Sequence, residues 1–487
     1  MEFPQADAAS QWDPLSAMRR SESQPRAPLR ACDMCIRLER YFDIAQDANP
    51  ILSKERFLNA YDTSLCNRGL VSAIVTITAK LTGYTFPVDG PSLDAHVDLL
   101  LSSSLLEQDI LGDSPSLDQF RKACILSFYE FHQFPGHQSW MRIGRLTRMA
   151  YRIGLDRLEN MCALYPDWSA IGKEDLQEWR SVWWCIYRLD SYTNLSSGTP
   201  YVIEDGLVNT SLILGQSNWS SNGTDAFQEL YLPLDSEGLW KLVPTVTSHP
   251  ETLLTNIHII TVAAMRQAGL VSRVHLLRPQ EETIARLANV ERHLAALRLA
   301  LPPGWLNPKR NAFSDETHAG HHARLITVFH LFMAQLLLSI LGCGRTREDE
   351  WLMSWQRVLE TCQDIASIAA QWDGSFCLQV DPAITFTIFT ALIFIDLHRK
   401  STAISTPSLL SQIDHDRTVL RLHLEQYASF WTLPRLLTLS FESFSESVSG
   451  PLSHCQIALI LSRFEAPLHP RWLQFLSSAQ AVLDACQ

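Results

Sequence analysis

Apolar residues recur every three or four positions along most of the chain, and this period predicts helices from about residue 31 onward. In DQFRKACILSFYEFHQF the period places Phe120, Cys124, Phe128 and Phe131 on one face. SWMRIGRLTRMAYRIG carries a stripe of Trp140, Ile143, Thr147, Ala150 and Gly154; Ser139 is expected to cap its start and Gly154 to end it. GKEDLQEWRSVWWCIYRLDSY opens on Glu174, Asp175 and Glu178, acids that suit the positive end of a helix, and its stripe is Trp179, Val182, Trp183, Ile186 and Leu189. EETIARLANVERHLAALRLA follows Pro279 and is expected to stop at Pro302. Further helices are expected over 319–342, 347–371, 382–398, 409–430 and 470–485. Alternating strand patterns are scarce, so the expected fold class is all-α: one large helical domain with a disordered N-terminus.

Two stretches break the period. Residues 1–30 hold Pro4, Pro14, Pro25 and Pro28 among Ser, Gln, Asp and Arg, too little apolar surface to order themselves, and are expected to be a disordered tail. Residues 213–249 are rich in Ser, Asn and Gly and are expected to be a loop or linker. The chain then divides into an N-terminal half, 31–212, and a C-terminal helical half, 250–487. Residues 325–344 and 383–395 resemble membrane spans in apolarity. The first includes Thr327, His330, Gln335 and Ser339, and the second falls short of the ~20 residues a span needs. Both are expected to be buried helices, with no membrane partner.

Charge narrows the function classes. The formal net charge is −12, which repels phosphate backbones, so direct DNA binding by this chain alone is not expected. Eleven cysteines, an odd number thinly spread, with no signal peptide at the start, point to free thiols in a reducing compartment.

Several clusters invite chemistry. The spacing of Cys32 and Cys35 in Ala-Cys-Asp-x-Cys is how many zinc-cluster DNA-binding modules begin, but the next cysteine is Cys66 and no basic run follows, so buried or idle thiols are expected. Arg142, Arg145, Arg148 and Arg152 line one helix flank; a solvated face, or pairing with Glu174, Asp175 and Glu178, is expected over a phosphate stripe. His318, His321, His322 and His330 invite a metal reading, but the nearby acids Asp315 and Glu316 precede the helix, and no metal is expected. Trp179, Trp183, Trp184 and Tyr187 are expected to be core, an aromatic ligand pocket remaining the alternative. Asp414 and Asp416 have no facing acidic motif of the kind that holds magnesium and diphosphate, and no phosphate loop, dinucleotide glycine run, nucleophile elbow or zinc-protease motif occurs. No catalytic residue, cofactor or metal is therefore expected, and an all-α enzyme is the less favoured class.

The wording of three segments adds a family. FRKACILSFYEFHQFPGHQSWMRIGRLTRMAYRIGLDR supplies Trp140, Gly144, Ala150, Gly154, Leu155 and Arg157. EWRSVWWCIYRLDSYTNLSSGTPYVIEDG supplies Arg180, Trp183, Trp184, Leu189, Asp190, Gly198, Pro200, Ile203 and Asp205, and LERYFDIAQDANPILSKERFLNAYD lies upstream. Together they resemble the regulatory, or middle homology, domain of fungal zinc-cluster transcription factors, with the motif core over 116–212. Asp156 and Thr199 depart from the pattern, and so does the missing cluster. The resemblance implies transcription regulation in a fungal nucleus, with a secondary-metabolite gene cluster as the expected kind of target. It implies protein partners, either a transcription factor or co-regulator that brings the DNA-binding module, or a second copy in a homodimer. A small-molecule effector stays open. So do a decoy that only dimerises with an intact factor and a gene model that lost its zinc-cluster exon.

Overall fold

A computed structural model describes residues 38–63, 65–83, 92–102, 115–133, 136–215, 229–311, 315–343, 348–403 and 406–484. Every regular element among them is helical; the sole pairing of extended backbone is an isolated bridge between Ser401 and Leu452. The fold class is thus all-α. The expected tail, together with Cys32 and Cys35, lies outside the described residues. The chain forms two compact units, one through Glu130 and one from Phe131 onward.

The first unit contains α1 (38–44), α2 (Lys54–Asp62), α3 (Arg68–Leu81), α4 (Leu93–Ser102) and most of α5 (Leu117–Gln133). α3 is its core: every residue from Leu70 to Ala79 is buried. Asn67 starts it by accepting the Gly69 and Leu70 amides at 2.8 and 3.2 Å, two of the donors a helix start leaves open. On α5, Phe120 and Cys124 are fully buried as the period requires, and Arg121 donates to the Ile51 carbonyl at 3.2 Å.

The second unit runs α6 (His137–Arg152), α7 (Leu158–Leu164), α8 (Pro166–Ser169), α9 (Lys173–Ser197), α10 (Ser236–Thr247), α11 (Leu253–Leu277), α12 (Glu281–Ala300), α13 (His318–Gly342), α14 (Glu348–Ala369), α15 (Pro382–Lys400), α16 (Pro407–Ala428), α17 (Thr432–Ser447), α18 (His454–Leu461), α19 (Pro470–Leu476) and α20 (Ala479–Asp484). α13 packs along α11 on one side and α14 on the other, and α15 lies against α9, α13, α14 and α16. α13 and α15 are long and apolar enough to cross a membrane, yet 89% and 94% of their most apolar stretches are buried inside the protein. They are the central helices of this unit, as expected.

The structure corrects the sequence expectations at several places. α6 begins at His137 after Gly136, so Ser139 is a buried first-turn residue and not the cap. Within the expected loop 213–249, residues 236–247 form α10. Asp235 caps it by accepting the Gly238 amide at 2.7 Å, a local signal that the surrounding Ser, Asn and Gly residues hid. The helix expected over 470–485 is two short helices, broken at Ser477 and Ser478, where the Ser478 hydroxyl donates to the Gln474 carbonyl at 3.3 Å and competes with the ladder. Neither α17 nor α18 is among the expected helices. Pro434 resembles a breaker but sits in the first turn of α17, where a missing N–H costs nothing.

Candidate functional site

Asp190, on the buried face of α9, organises the motif region. Its carboxylate accepts the Val202 and Ile203 amides, both at 3.1 Å, and the Asn194 side-chain amide at 2.7 Å. The strand-like segment after Gly198 is thereby held back against the helix that precedes it. Gly198 makes this reversal possible: its φ of +71° is a left-handed conformation that other residues resist.

Arg266 of α11 completes the arrangement. It is 1% exposed, donates to Asp190 Oδ2 at 2.9 Å and to the Ile203 carbonyl at 2.6 Å, and pairs with Asp205 Oδ1 at 3.1 Å. Its guanidinium lies between the Tyr187 and Tyr201 rings, 4.7 and 4.0 Å from their centres. Burial opposes its charge, but Tyr187, Asp205 and Asp190 around it hold it protonated. Tyr187 in turn donates to Asp205 at 3.1 Å. A planar cation with several donors can serve buried Asp190 and half-buried Asp205 at once. Arg266 was missed by sequence reasoning, since it stands outside every motif.

The remaining motif residues are placed around this hub. The Trp140 indole donates to Asn194 Oδ1 at 3.1 Å, joining α6 to α9. Gly144 is within α6, and Gly154, at φ +80°, turns the chain out of it toward buried Leu155. Arg157 is exposed. Arg180 is buried and pairs with Glu159 at 3.0 Å, while Glu159 also accepts the Ser211 hydroxyl at 2.6 Å. Trp183 is fully buried, and Trp184 donates to the Ser211 carbonyl at 2.9 Å. Pro200 is exposed. Trp179, Trp183, Trp184 and Tyr187 are thus core and not the lining of an aromatic cage.

A cavity of about 330 Å³ opens beside the hub, where the end of α9 meets α11, α13 and α18. Leu195, Gly198, Gly269, Leu337 and Phe464 give it apolar walls, and Arg273 supplies a cation whose guanidinium also donates to the Gly198 carbonyl at 3.3 Å. Its size suits a small ligand.

The histidine run separates in the fold. His318 is exposed. His321 meets the Pro308 carbonyl at 2.8 Å. His322 lies on Phe376 with ring centres 4.4 Å apart, and burial lowers its pKa to about 3. His330 instead reaches His258 of α11 and Asp381, the residue that caps α15. The nitrogen–oxygen distances to Asp381 are 3.4 Å from His258 and 3.7 Å from His330. Tyr192 donates to Asp381 Oδ2 at 2.7 Å and lies 3.0 Å from His258 Nε2. Asp381 is 1% exposed at its side chain. Burial alone would raise its carboxyl, and the facing His258 and His330 outweigh it, holding it well below the usual carboxylate range. Burial also lowers His258 to about 4. These residues come from four helical elements with no common motif, so only the fold reveals them.

The other candidates are accounted for by neighbours. Arg145, Arg148 and Arg152 are exposed along α6 and Arg142 is half-buried. Asp414 pairs with Arg399 at 2.6 Å, and Asp416 accepts from Gln412 at 2.9 Å. Each acid faces a different partner, and the two do not form a shared ion cradle.

Residues 38–257 match the family described as the fungal specific transcription factor domain. Three relatives are similar over shorter spans. The pigment biosynthesis transcriptional activator pigB of Monascus ruber is 23% identical over 176 residues, 35% of this chain and 32% of that protein. The transcription factor tazR of Aspergillus terreus is 25% identical over 179 residues, 35% of this chain and 27% of that protein. The uncharacterized transcriptional regulatory protein C530.05 of Schizosaccharomyces pombe is 36% identical over 66 residues, 14% of this chain and 8% of that protein. The chain therefore spans about a third or less of the length of the curated relatives it matches. The Asp190–Arg266 hub ties together the wording that carries the resemblance, and residues 38–257 are similar to the fungal specific transcription factor domain.

Proposed function

We propose that this chain regulates transcription of a dedicated pathway in a fungal nucleus, in the manner of a secondary-metabolite gene-cluster regulator, and that it is not an enzyme. The match of residues 38–257 carries the proposal, supported by similarity to a relative named as a pigment biosynthesis activator. The helical domain acts as a scaffold that engages protein partners: a transcription factor, a co-regulator or a second copy. With a net charge of −12, the DNA-contacting module comes from the partner. A small-molecule effector enters the cavity between α9, α11, α13 and α18, where Arg273 and Glu465 suit a ligand with both acceptor and donor groups on a largely apolar body.

A mobility-shift assay on promoter DNA tests this. The pure chain is expected to give no shift at moderate salt, and addition of fungal nuclear extract to give one that an antibody to the chain supershifts. A shift by the pure chain would sink the partner scheme.

A further inference from the structure

We propose that Tyr192, His258, His330 and Asp381 form a binding site for one divalent transition-metal ion, zinc foremost, which clamps α9, α11, α13 and the start of α15 together. The donor set is two imidazoles, a carboxylate and a phenol oxygen. Imidazole and carboxylate suit zinc and its neighbours in the first transition row, and a closed four-donor set is that of a structural ion.

The spacing fits. A tetrahedral ion with bonds of about 2.0–2.2 Å needs donors separated by roughly 3.3–3.6 Å. His258 Nε2 lies 3.4 Å from Asp381 Oδ2 and His330 Nε2 lies 3.7 Å from the other carboxylate oxygen, Oδ1, while the phenol oxygen, 3.0 Å from His258 Nε2 and 2.7 Å from Oδ2, would have to move outward by several tenths of an ångström. One nitrogen from each histidine and one carboxylate oxygen all fall within 4.8 Å of one another, so only small side-chain adjustments are required.

Hydrogen-bond bookkeeping supplies a second, independent argument. The Thr261 hydroxyl donates to the His258 carbonyl at 3.0 Å. Its oxygen, 3.2 Å from His330 Nδ1, is then the acceptor for the proton on that nitrogen. With its Nδ1 hydrogen given to Thr261, that tautomer of His330 presents a bare lone pair at Nε2. That atom is completely buried, has no hydrogen-bond partner and faces the Asp381 carboxylate across 3.7 Å. A cation bound between that nitrogen and the carboxylate would give both a partner in the dry interior. The Thr261 contact is also the kind of outer-shell hydrogen bond that fixes the tautomer of a metal-binding histidine.

The remaining donors need little change. The Tyr192 proton is committed to Asp381 in the present arrangement, so His258 Nε2 carries a hydrogen toward the phenol oxygen. On metal binding that hydrogen moves to Nδ1 of a ring that is 15% exposed, leaving Nε2 to the metal. The second Asp381 oxygen, Oδ1, keeps the Ala383 amide at 2.9 Å as the cap of α15.

Metal analysis of the full-length chain tests the proposal. Purified from zinc-supplemented culture and dialysed without chelator, it is expected to hold about one zinc per chain. Chelator-stripped protein is expected to gain at least about 3 °C in melting temperature when zinc alone is restored. Cobalt alone should give the visible bands of a tetrahedral nitrogen–oxygen site without a near-ultraviolet thiolate band. His258→Gln and His330→Gln should each weaken zinc binding at least tenfold, Thr261→Val less, and His469→Gln not at all. Folded wild-type chain that takes up neither zinc nor cobalt at micromolar concentration would overturn the site. So would a cobalt spectrum dominated by thiolate, or zinc binding undiminished in folded His258→Gln. If both glutamine variants fail to fold, the cobalt spectrum of the wild type alone decides between these outcomes.

Discussion

Gly144 and Gly154 belong to the same motif segment but are held for different reasons. At Gly154 the backbone is left-handed, and an added Cβ would lie 2.6 Å from Met161 Sδ. Gly154→Ala is expected to destabilise by more than about 1 kcal/mol. At Gly144 an added Cβ would meet only the Arg148 tip, at 3.6 Å, within a regular helix. Gly144→Ala is expected to stabilise by about 0.5–1 kcal/mol. Thermal melts of the two variants should move in opposite directions. Arg266→Met leaves Asp190 and Asp205 without their cation and is expected to cost about 3–5 kcal/mol, read as a large fall in melting temperature. Asp190 was legible in the sequence because it belongs to a local phrase. Arg266 was not, because it lies 76 residues away on a helix whose own period calls only for apolar contacts.

Elements with strong amphipathic stripes were the most legible. α9 buries Trp183, Val182 and Ile186 fully, as the three-to-four spacing requires, and α15 is buried along nearly all its length. Weak stripes inside polar composition were not: α10 was hidden by its flanks and α17 by Pro434. Since Asp235 supplies the local start signal of α10, Asp235→Ala is expected to cost about 1 kcal/mol. The loss should be local, and hydrogen exchange would show faster exchange confined to the amides of α10 and its contacts. Uniform loosening of the whole unit would instead mean that the cap holds more than its own helix. The histidine–carboxylate cluster illustrates what spacing cannot show. His330 belonged to a recognisable run, but its partners come from α11 and the start of α15.

At the scale of the whole molecule, buried histidines set a pH limit. His132, His322 and His423 are held neutral, with pKa values lowered by burial to about 4, 3 and 4, and His398 is lowered well below the usual value by the same cause. The unfolded chain protonates these rings near pH 6.5, whereas the fold refuses the protons until far more acidic conditions. Their stabilisation is therefore complete above about pH 6.5 and declines as pH falls toward 4, these four rings taking up about four protons on unfolding near pH 5 and His258 about one more. Melting temperature measured against pH checks this, and His322→Phe should reduce the slope by about one proton. Carboxyls raised by burial, such as Asp156 and Asp416, act in the opposite sense, so the difference between wild type and variant isolates the histidine contribution.

The close approach of α9 and α11 at Gly269 carries a genetic consequence. A single added methyl there would come within 2.2 Å of Leu195 Cδ1 and 3.0 Å of the Tyr201 hydroxyl, at the wall of the cavity. One missense change from glycine to alanine therefore forces the Leu195 side chain, or the helix that carries it, to shift. Under the effector role proposed for the cavity, screens for alleles that alter target-gene expression regardless of growth medium should return this codon, and recovery only of alleles with unaltered expression at Gly269 would argue that the helix junction transmits nothing.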